Sequence, residues 1–172
     1  MIYVTSDTHF NHLKIIEYCN RPFTNIEDMN NVMINNWNSI VKENDKVVHL
    51  GDFGFGGGEE LSEICAKLNG HKMLIKGNHD NRKTNEWWKN TGFNDVLDGG
   101  FIYKEFYLMS HKPLFINEKS AFINLHGHIH QNKMEGGQYY NVCVEHHNYT
   151  PIALNDVIKG YMLKKGDKQN DK

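Results

Sequence analysis

The chain has 172 residues, 39% apolar and 23% charged, with a formal charge of −2 and a pI near 6.6. That length is one ordinary domain with little room for a second module. The balance disfavours both a membrane span, which needs ~20 consecutive apolar residues, and a strongly basic surface for nucleic acid.

The first predicted element is a buried strand over residues 2–6, carrying Ile2, Tyr3 and Val4 and breaking into Ser6-Asp7-Thr8-His9. It leaves no room for a secretory leader, so a cytoplasmic protein is expected. A helix is expected from 25 to 41, with Thr24 and Glu27 as a capping box and Ile26, Met29, Met33, Trp37 and Ile40 at helical spacing. Val47–Leu50 reads as a second strand, ending at Gly51-Asp52. Glu59–Leu68 reads as a helix, and Met73–Ile75 as a third strand running into Gly77-Asn78-His79-Asp80. Strands alternating with helices argue for a parallel sheet with right-handed crossovers, whose ligands gather outside the carboxyl ends of the strands. All three polar motifs fall there.

A short helix over Asn85–Lys89 is followed by a strand-rich half: Val96-Leu97, Phe101–Tyr103, Phe106–Met109, Phe122–Leu125 and Tyr139–Val144. A last helix is expected over Ala153–Lys159. The domain is drawn at 1–163, with a polar tail over 164–172. Cys19, Cys65 and Cys143 lack any C-x-x-C spacing and read as buried free thiols.

Carboxylate, imidazole and carboxamide groups are the donors that suit divalent metals at a hydrolytic site. In Asp7-x-His9, extended backbone points both side chains to one side, where they can grip one ion, and Gly127-His128-Ile129-His130 repeats that geometry. Asp52, at a strand end, can bridge two metals roughly 3.5–4 Å apart. In Gly77-Asn78-His79-Asp80 the Asn is a neutral oxygen ligand, the His a general acid and the Asp the carboxylate that orients it. His111 supplies one more ligand. The glycines at 54 and 56–58 do not make a phosphate loop, because no Gly-Lys-Ser/Thr follows.

In this order the motifs resemble the calcineurin-like metallophosphoesterase superfamily, whose pattern D-x-H, G-D, G-N-H-D/E, H and G-H-x-H is matched over residues 7–130. The likeness is strongest to its small, capless bacterial and phage branch, with Asp7-Thr8-His9-Phe10 followed by Asn20-Arg21-Pro22-Phe23. The resemblance implies an α/β (α+β) fold, a two-sheet β-sandwich flanked by helices in αββα layers. It implies one metal held by Asp7, His9, Asp52 and His130 and another by Asp52, Asn78, His111 and His128. The ions would be Mn²⁺ by preference, with Fe²⁺, Zn²⁺, Co²⁺ or Ni²⁺ as alternatives. A metal-bridging hydroxide would attack phosphorus, and His79, steered by Asp80, would protonate the leaving oxygen.

The implied activity is phosphodiester hydrolysis on a nucleotide or other small molecule. A phosphomonoesterase on the same centre, and a non-catalytic metal-binding scaffold, are the alternatives. Many relatives continue the second motif as G-D-x-x-D, whereas this chain reads Asp52-Phe53-Gly54-Phe55, and Phe53 and Phe55 are expected as an apolar wall. Arg21 is a candidate phosphate clamp, with a structural ion pair as the alternative. His12 is a candidate substrate contact, with a surface position at a helix start as the alternative. His126 is expected to support His128 from behind, Trp87-Trp88 to pack a helix, and His49 to sit in a strand, while His71, His146 and His147 have no readable role.

Overall fold

The computed structural model describes residues 1–160, so the end of the domain at 163 and the tail over 164–172 lie outside the described residues. In chain order the elements are β1 (Ile2–Thr5), α1 (Leu13–Tyr18), α2 (Ile26–Ile40), β2 (Lys46–His49), α3 (Gly58–Lys67), β3 (His71–Ile75), α4 (Asn85–Asn90), β4 (Asp95–Leu97), β5 (Phe101–Tyr103), β6 (Tyr107–Ser110), β7 (Ile123–His126), β8 (Tyr139–Asn141) and β9 (Ile152–Ala153). A helix, α5, follows over 154–160.

The strands form two sheets, ordered β4-β3-β2-β1-β9 and β5-β6-β7-β8. β1 to β4 are mutually parallel, as the alternating pattern requires, and β9 runs antiparallel beside β1. In the second sheet β6, β7 and β8 are parallel and β5 is antiparallel to β6.

Period-2 alternation divides the apolar residues of the first sheet between two cores. Tyr3, Val47 and Leu74 face α1 to α4, where Ile15, Met29, Met33, Trp37, Leu61, Ile64 and Trp88 are buried. Val4, Val48 and Ile75 face the second sheet and meet Tyr107, Met109, Ile123 and Leu125, with Leu154 and Val157 of α5 in the same core. This is the two-sheet sandwich flanked by helices. On the outer side of the second sheet the loop 111–122 covers buried Asn124, whose Oδ1 accepts the Leu114 N–H at 2.8 Å.

Element boundaries differ from expectation where caps or tertiary pairing decide them. Asn25, not Thr24, caps α2: its extended backbone lets Oδ1 accept the Asp28 N–H at 2.8 Å, while Thr24 donates to the Asp28 carboxylate. Beyond the helix start weighed for His12, α1 has no counterpart in the sequence reading, because six residues with only Ile15 buried carry no helical period. The strand expected over Tyr139–Val144 stops at Asn141, whose Oδ1 accepts the Cys143 N–H at 2.9 Å and turns the chain into a 3₁₀ turn over Val144–His146. Ala153 is in a strand, paired with Tyr3, and the helix begins one residue later.

Candidate metal centre

The loops after β1, β2, β3, β6 and β7 meet at one edge of the sandwich. They are tied through the backbone: Asp7 N–H donates to Gly51 O at 2.9 Å, His9 N–H to Asp52 O at 3.1 Å and Gly127 N–H to His111 O at 2.9 Å. Two glycines permit the close approach. A Cβ on Gly77 would lie 2.1 Å from Asp52 Oδ1, and one on Gly127 would lie 2.0 Å from Ser6 Oγ and 2.2 Å from Asp7 Oδ2.

The candidate ligands reach the site by an unusual backbone. Asp7, His9, Asp52, His128 and His130 all have φ between 48° and 72°, the left-handed region that non-glycine residues seldom occupy and that gathers at functional sites. The extended geometry expected of Asp7-x-His9 and His128-x-His130 is therefore corrected. The side chains converge because the chain coils sharply at each strand end, and the two imidazoles of the last motif part company instead of sharing one side.

Two clusters result, each with ligand-capable atoms within 4.8 Å of one another: Asp7, His9 and His130, and Asp52, His111 and His128. Asp52 Oδ2 lies between them, 3.7 Å from His9 Nε2 and 3.5 Å from His111 Nε2, while its Oδ1 accepts the His79 N–H at 2.9 Å. Asn78 joins the second cluster with Oδ1 2.9 Å from His111 Nε2. The rings are held from behind: His111 Nδ1 is 2.8 Å from Leu50 O and His130 Nδ1 3.0 Å from Glu145 Oε1, which turns the opposite nitrogen of each inward.

The donor set fits divalent cations on two grounds. Asp7 Oδ1 and His9 Nε2 are buried, face this space and have no hydrogen-bond partner, an arrangement costly unless something satisfies them. Every donor is also nitrogen or oxygen. Burial, with Arg21 and the neighbouring imidazoles, holds His9 well below its ordinary value, and burial with His111 lowers His128, so both favour the neutral, ligating form. Burial and the nearby Asp7 raise Asp52. Burial opposes charge on His130 too, but hydrogen bonds to Cys19 and Glu145 and the Asp7 carboxylate outweigh it and carry the ring up to about 10. The raised His130 reflects the pull of the surrounding carboxylates for positive charge, which cations bound here would supply in its place.

The other candidates divide. His79 borders both clusters, its side chain 35% exposed and Nε2 3.9 Å from Asp52 Oδ2. His12 stands at the rim, stacked on Phe55 at 4.0 Å and with Nδ1 3.3 Å from His9 Nδ1; it is the residue just before α1, which is the helix-start alternative.

Asp80 does not steer the His79 ring by contact. Its buried carboxylate accepts the N–H groups of Asp52, Phe53 and Gly77 at 2.6, 3.2 and 2.8 Å, so it shapes the loops that carry the ligands. Burial pushes it up to about 6 against those three donors. Arg21 lies behind the centre, side chain 0% exposed, donating to Asp7 O, Thr8 O and Glu145, which is the ion-pair alternative and leaves it no face toward the cleft. Phe55 lines the site against His79 and His12, but Phe53 is fully buried in the helix-side core, so only one of the pair forms a wall. Trp88 packs that core as expected. His126 packs against the Tyr139 ring instead of backing His128.

Sequence reading missed the residues that hold these ligands. Ser6 Oγ–H, His128 N–H and the Cys143 thiol all donate to Asp7 Oδ2, at 2.5, 2.9 and 3.2 Å. Asn141 and His146 both reach His130 O, at 2.8 Å each. Among these, His146 was singled out in the sequence but had no readable role until the fold brought it to the last motif.

A family model described as calcineurin-like phosphoesterase matches residues 1–169. An uncharacterized protein of Methanocaldococcus jannaschii is 36% identical over 179 residues, covering 96% of this chain and 92% of the relative. The crystal structure of a protein of unknown function from Aquifex aeolicus resembles the fold with a TM-score of 0.73 at 30% identity, covering 92% of this chain and 98% of that one.

Proposed function

Because the chain belongs to the calcineurin-like phosphoesterase family, we propose that it hydrolyses phosphodiesters of nucleotides or other small molecules. The coarser activity, metal-dependent phosphoester hydrolysis, is that of the family. The observation that carries the reading is the meeting of two ligand clusters at Asp52 Oδ2, beside the partnerless Asp7 Oδ1 and His9 Nε2.

Asp7, His9, Asp52 and His130 would hold one ion and Asp52, Asn78, His111 and His128 the other; bound there, they would supply Lewis-acid charge for the phosphoryl oxygens and a nucleophile at neutral pH. Mn²⁺ suits this mixed nitrogen and oxygen set. His79 would pass a proton to the leaving oxygen. Its half-open ring lies in front of the clusters and its backbone is fixed on Asp52. Phe55 and His12 would fence the same side.

Preference for a diester is supported by cavities on both flanks of the centre. One, of about 200 Å³, is lined by Phe55, His79, Lys83 and Trp87. The other, of about 270 Å³, is lined by Lys76, Asn78, His111 and Lys112. His79 borders the first and Asn78 and His111 the second, so a diester would have room for a substituent on either side, which a monoester does not need; Lys112 would suit the anionic charge, whereas Lys76 is paired with Asp98. The same reading takes residues 1–163 as the catalytic domain of a cytoplasmic protein; among the described residues no helix is long and apolar enough to cross a membrane.

The test compares bis-(p-nitrophenyl) phosphate with p-nitrophenyl phosphate, using metal-stripped protein with Mn²⁺ restored and Asp52→Asn as control. Metal-dependent diester cleavage, lost in the variant, is expected. Monoester cleavage alone would overturn the diester preference, and silence on both with metal bound would overturn the catalytic reading.

A further inference from the structure

His130 faces two clusters with its two nitrogens. Nε2 looks inward, 3.9 Å from Asp7 Oδ1, and Nδ1 looks outward, 3.0 Å from Glu145 Oε1. On the outer side stands Cys19, the residue that closes α1, partly buried and carrying a free thiol. The ligand-capable atoms of Cys19, His130 and Glu145 lie within 4.8 Å of one another.

Glu145 supplies an independent observation. Its side chain is only 6% exposed, and both Arg21 Nε and Nη2 as well as His130 Nδ1 converge on Oε1, at 3.0, 2.6 and 3.0 Å. Oε2 is left buried with no partner. Arg21 meets one carboxylate oxygen only, so Glu145, grouped with this thiol and imidazole nitrogen, keeps a buried oxygen that a cation could satisfy.

We propose that Cys19, His130 and Glu145 form a further metal position, selective for a thiophilic divalent ion such as Zn²⁺ or Cd²⁺ and sharing the His130 ring with the centre described above. Sulfur distinguishes it: the inner clusters offer only nitrogen and oxygen, whereas a thiolate favours the softer ions. Filling it forms one metal–sulfur, one metal–nitrogen and one metal–oxygen bond. The Cys19 Sγ proton and the His130 Nδ1 proton go to solvent, and no oxidation state changes. The ion takes the place of the hydrogen bond that fixes His130, so occupancy would reach the inner centre through that ring.

The test titrates Cd²⁺ into the full chain kept in excess Mn²⁺, following bound cadmium and the ultraviolet absorption of cadmium–thiolate bonds. One equivalent with that absorption is expected in the wild type, in Cys143→Ser and in Asp52→Asn, and no absorption in Cys19→Ser. Thermal melts check that each variant is folded, with Cys19→Ala as a second form. Absorption that persists without Cys19, that disappears with Cys143→Ser or Asp52→Asn, or that is missing from the wild type would overturn the proposal. Since the signal does not require Asp52 or turnover, its failure is separate from failure of the hydrolytic reading.

Discussion

Asp52 and His79 are neighbours in space, and the duties proposed for them are separable. Asp52 Oδ2 faces both clusters, so Asp52→Asn is expected to weaken metal binding by at least ~100-fold and to lose activity with it. His79 is absent from both ligand clusters, so His79→Ala is expected to keep its metal stoichiometry while kcat falls roughly 10²–10⁴-fold. Metal analysis beside steady-state kinetics checks the pair, and a His79→Ala enzyme at full rate would remove the general-acid role.

His49 gives a prediction of another kind. Its Nδ1 accepts the Gly51 N–H at 3.2 Å and its Nε2 lies 3.0 Å from Thr8 Oγ1, whose hydroxyl donates to Phe53 O at 2.7 Å. Burial, aided by His111, lowers it to about 3. The unfolded chain protonates the ring near 6.5, so between these values the unfolded state holds the extra proton. The contribution of His49 is complete above 6.5 and is lost as pH falls toward 3, at up to ~1.4 kcal/mol per pH unit. The imidazole signal of His49 should still report the neutral form at pH 5; a titration midpoint near 6 would contradict it.

Among the elements, it is the strand ends that make the site. Gly127 follows β7 where a Cβ would overlap Ser6 Oγ and Asp7 Oδ2. Gly127→Ala is expected to cost about 1–3 kcal/mol and, by moving Asp7, to lower metal affinity. Urea denaturation with and without metal measures both, and an unchanged affinity would show that the loops adapt. The candidate ligands that the fold gathers were legible in the sequence, because side-chain chemistry and order at strand ends are sequence properties. The route by which they converge was not: left-handed backbone at Asp7, His9, Asp52, His128 and His130 leaves no mark in a period-2 pattern. Asp80 was visible as a candidate, but its partners are backbone N–H groups, and Arg21 was left between two readings until Glu145 appeared 124 positions away. The helices α2 and α3 were readable because each presents an apolar stripe, and α1 was silent because it buries only Ile15.

For the molecule as a whole, stability and metal content are linked. An ion that binds only the folded chain stabilises it by ~2.7 kcal/mol at a hundredfold excess over Kd, and at this size each kcal/mol raises Tm by roughly 2–4 °C. Mn²⁺ is therefore expected to raise the melting temperature of the stripped protein in proportion to the logarithm of its concentration, with the effect abolished in Asp52→Asn. A flat response in scanning calorimetry would show that the clusters do not bind at those concentrations.

The two-sheet arrangement also sets a timetable for biosynthesis. β1 to β4 are complete once residue 97 has been made, but the centre borrows His111, His128 and His130 from the second sheet, and β9, which covers the outer edge of β1, comes only at Ile152–Ala153. A chain emerging from the ribosome thus carries Asp7, His9, Asp52 and Asn78 before the remaining candidate ligands exist. The earliest moment for ion capture is the docking of β7 and its following loop, when the edge of the first sheet still lacks its last strand.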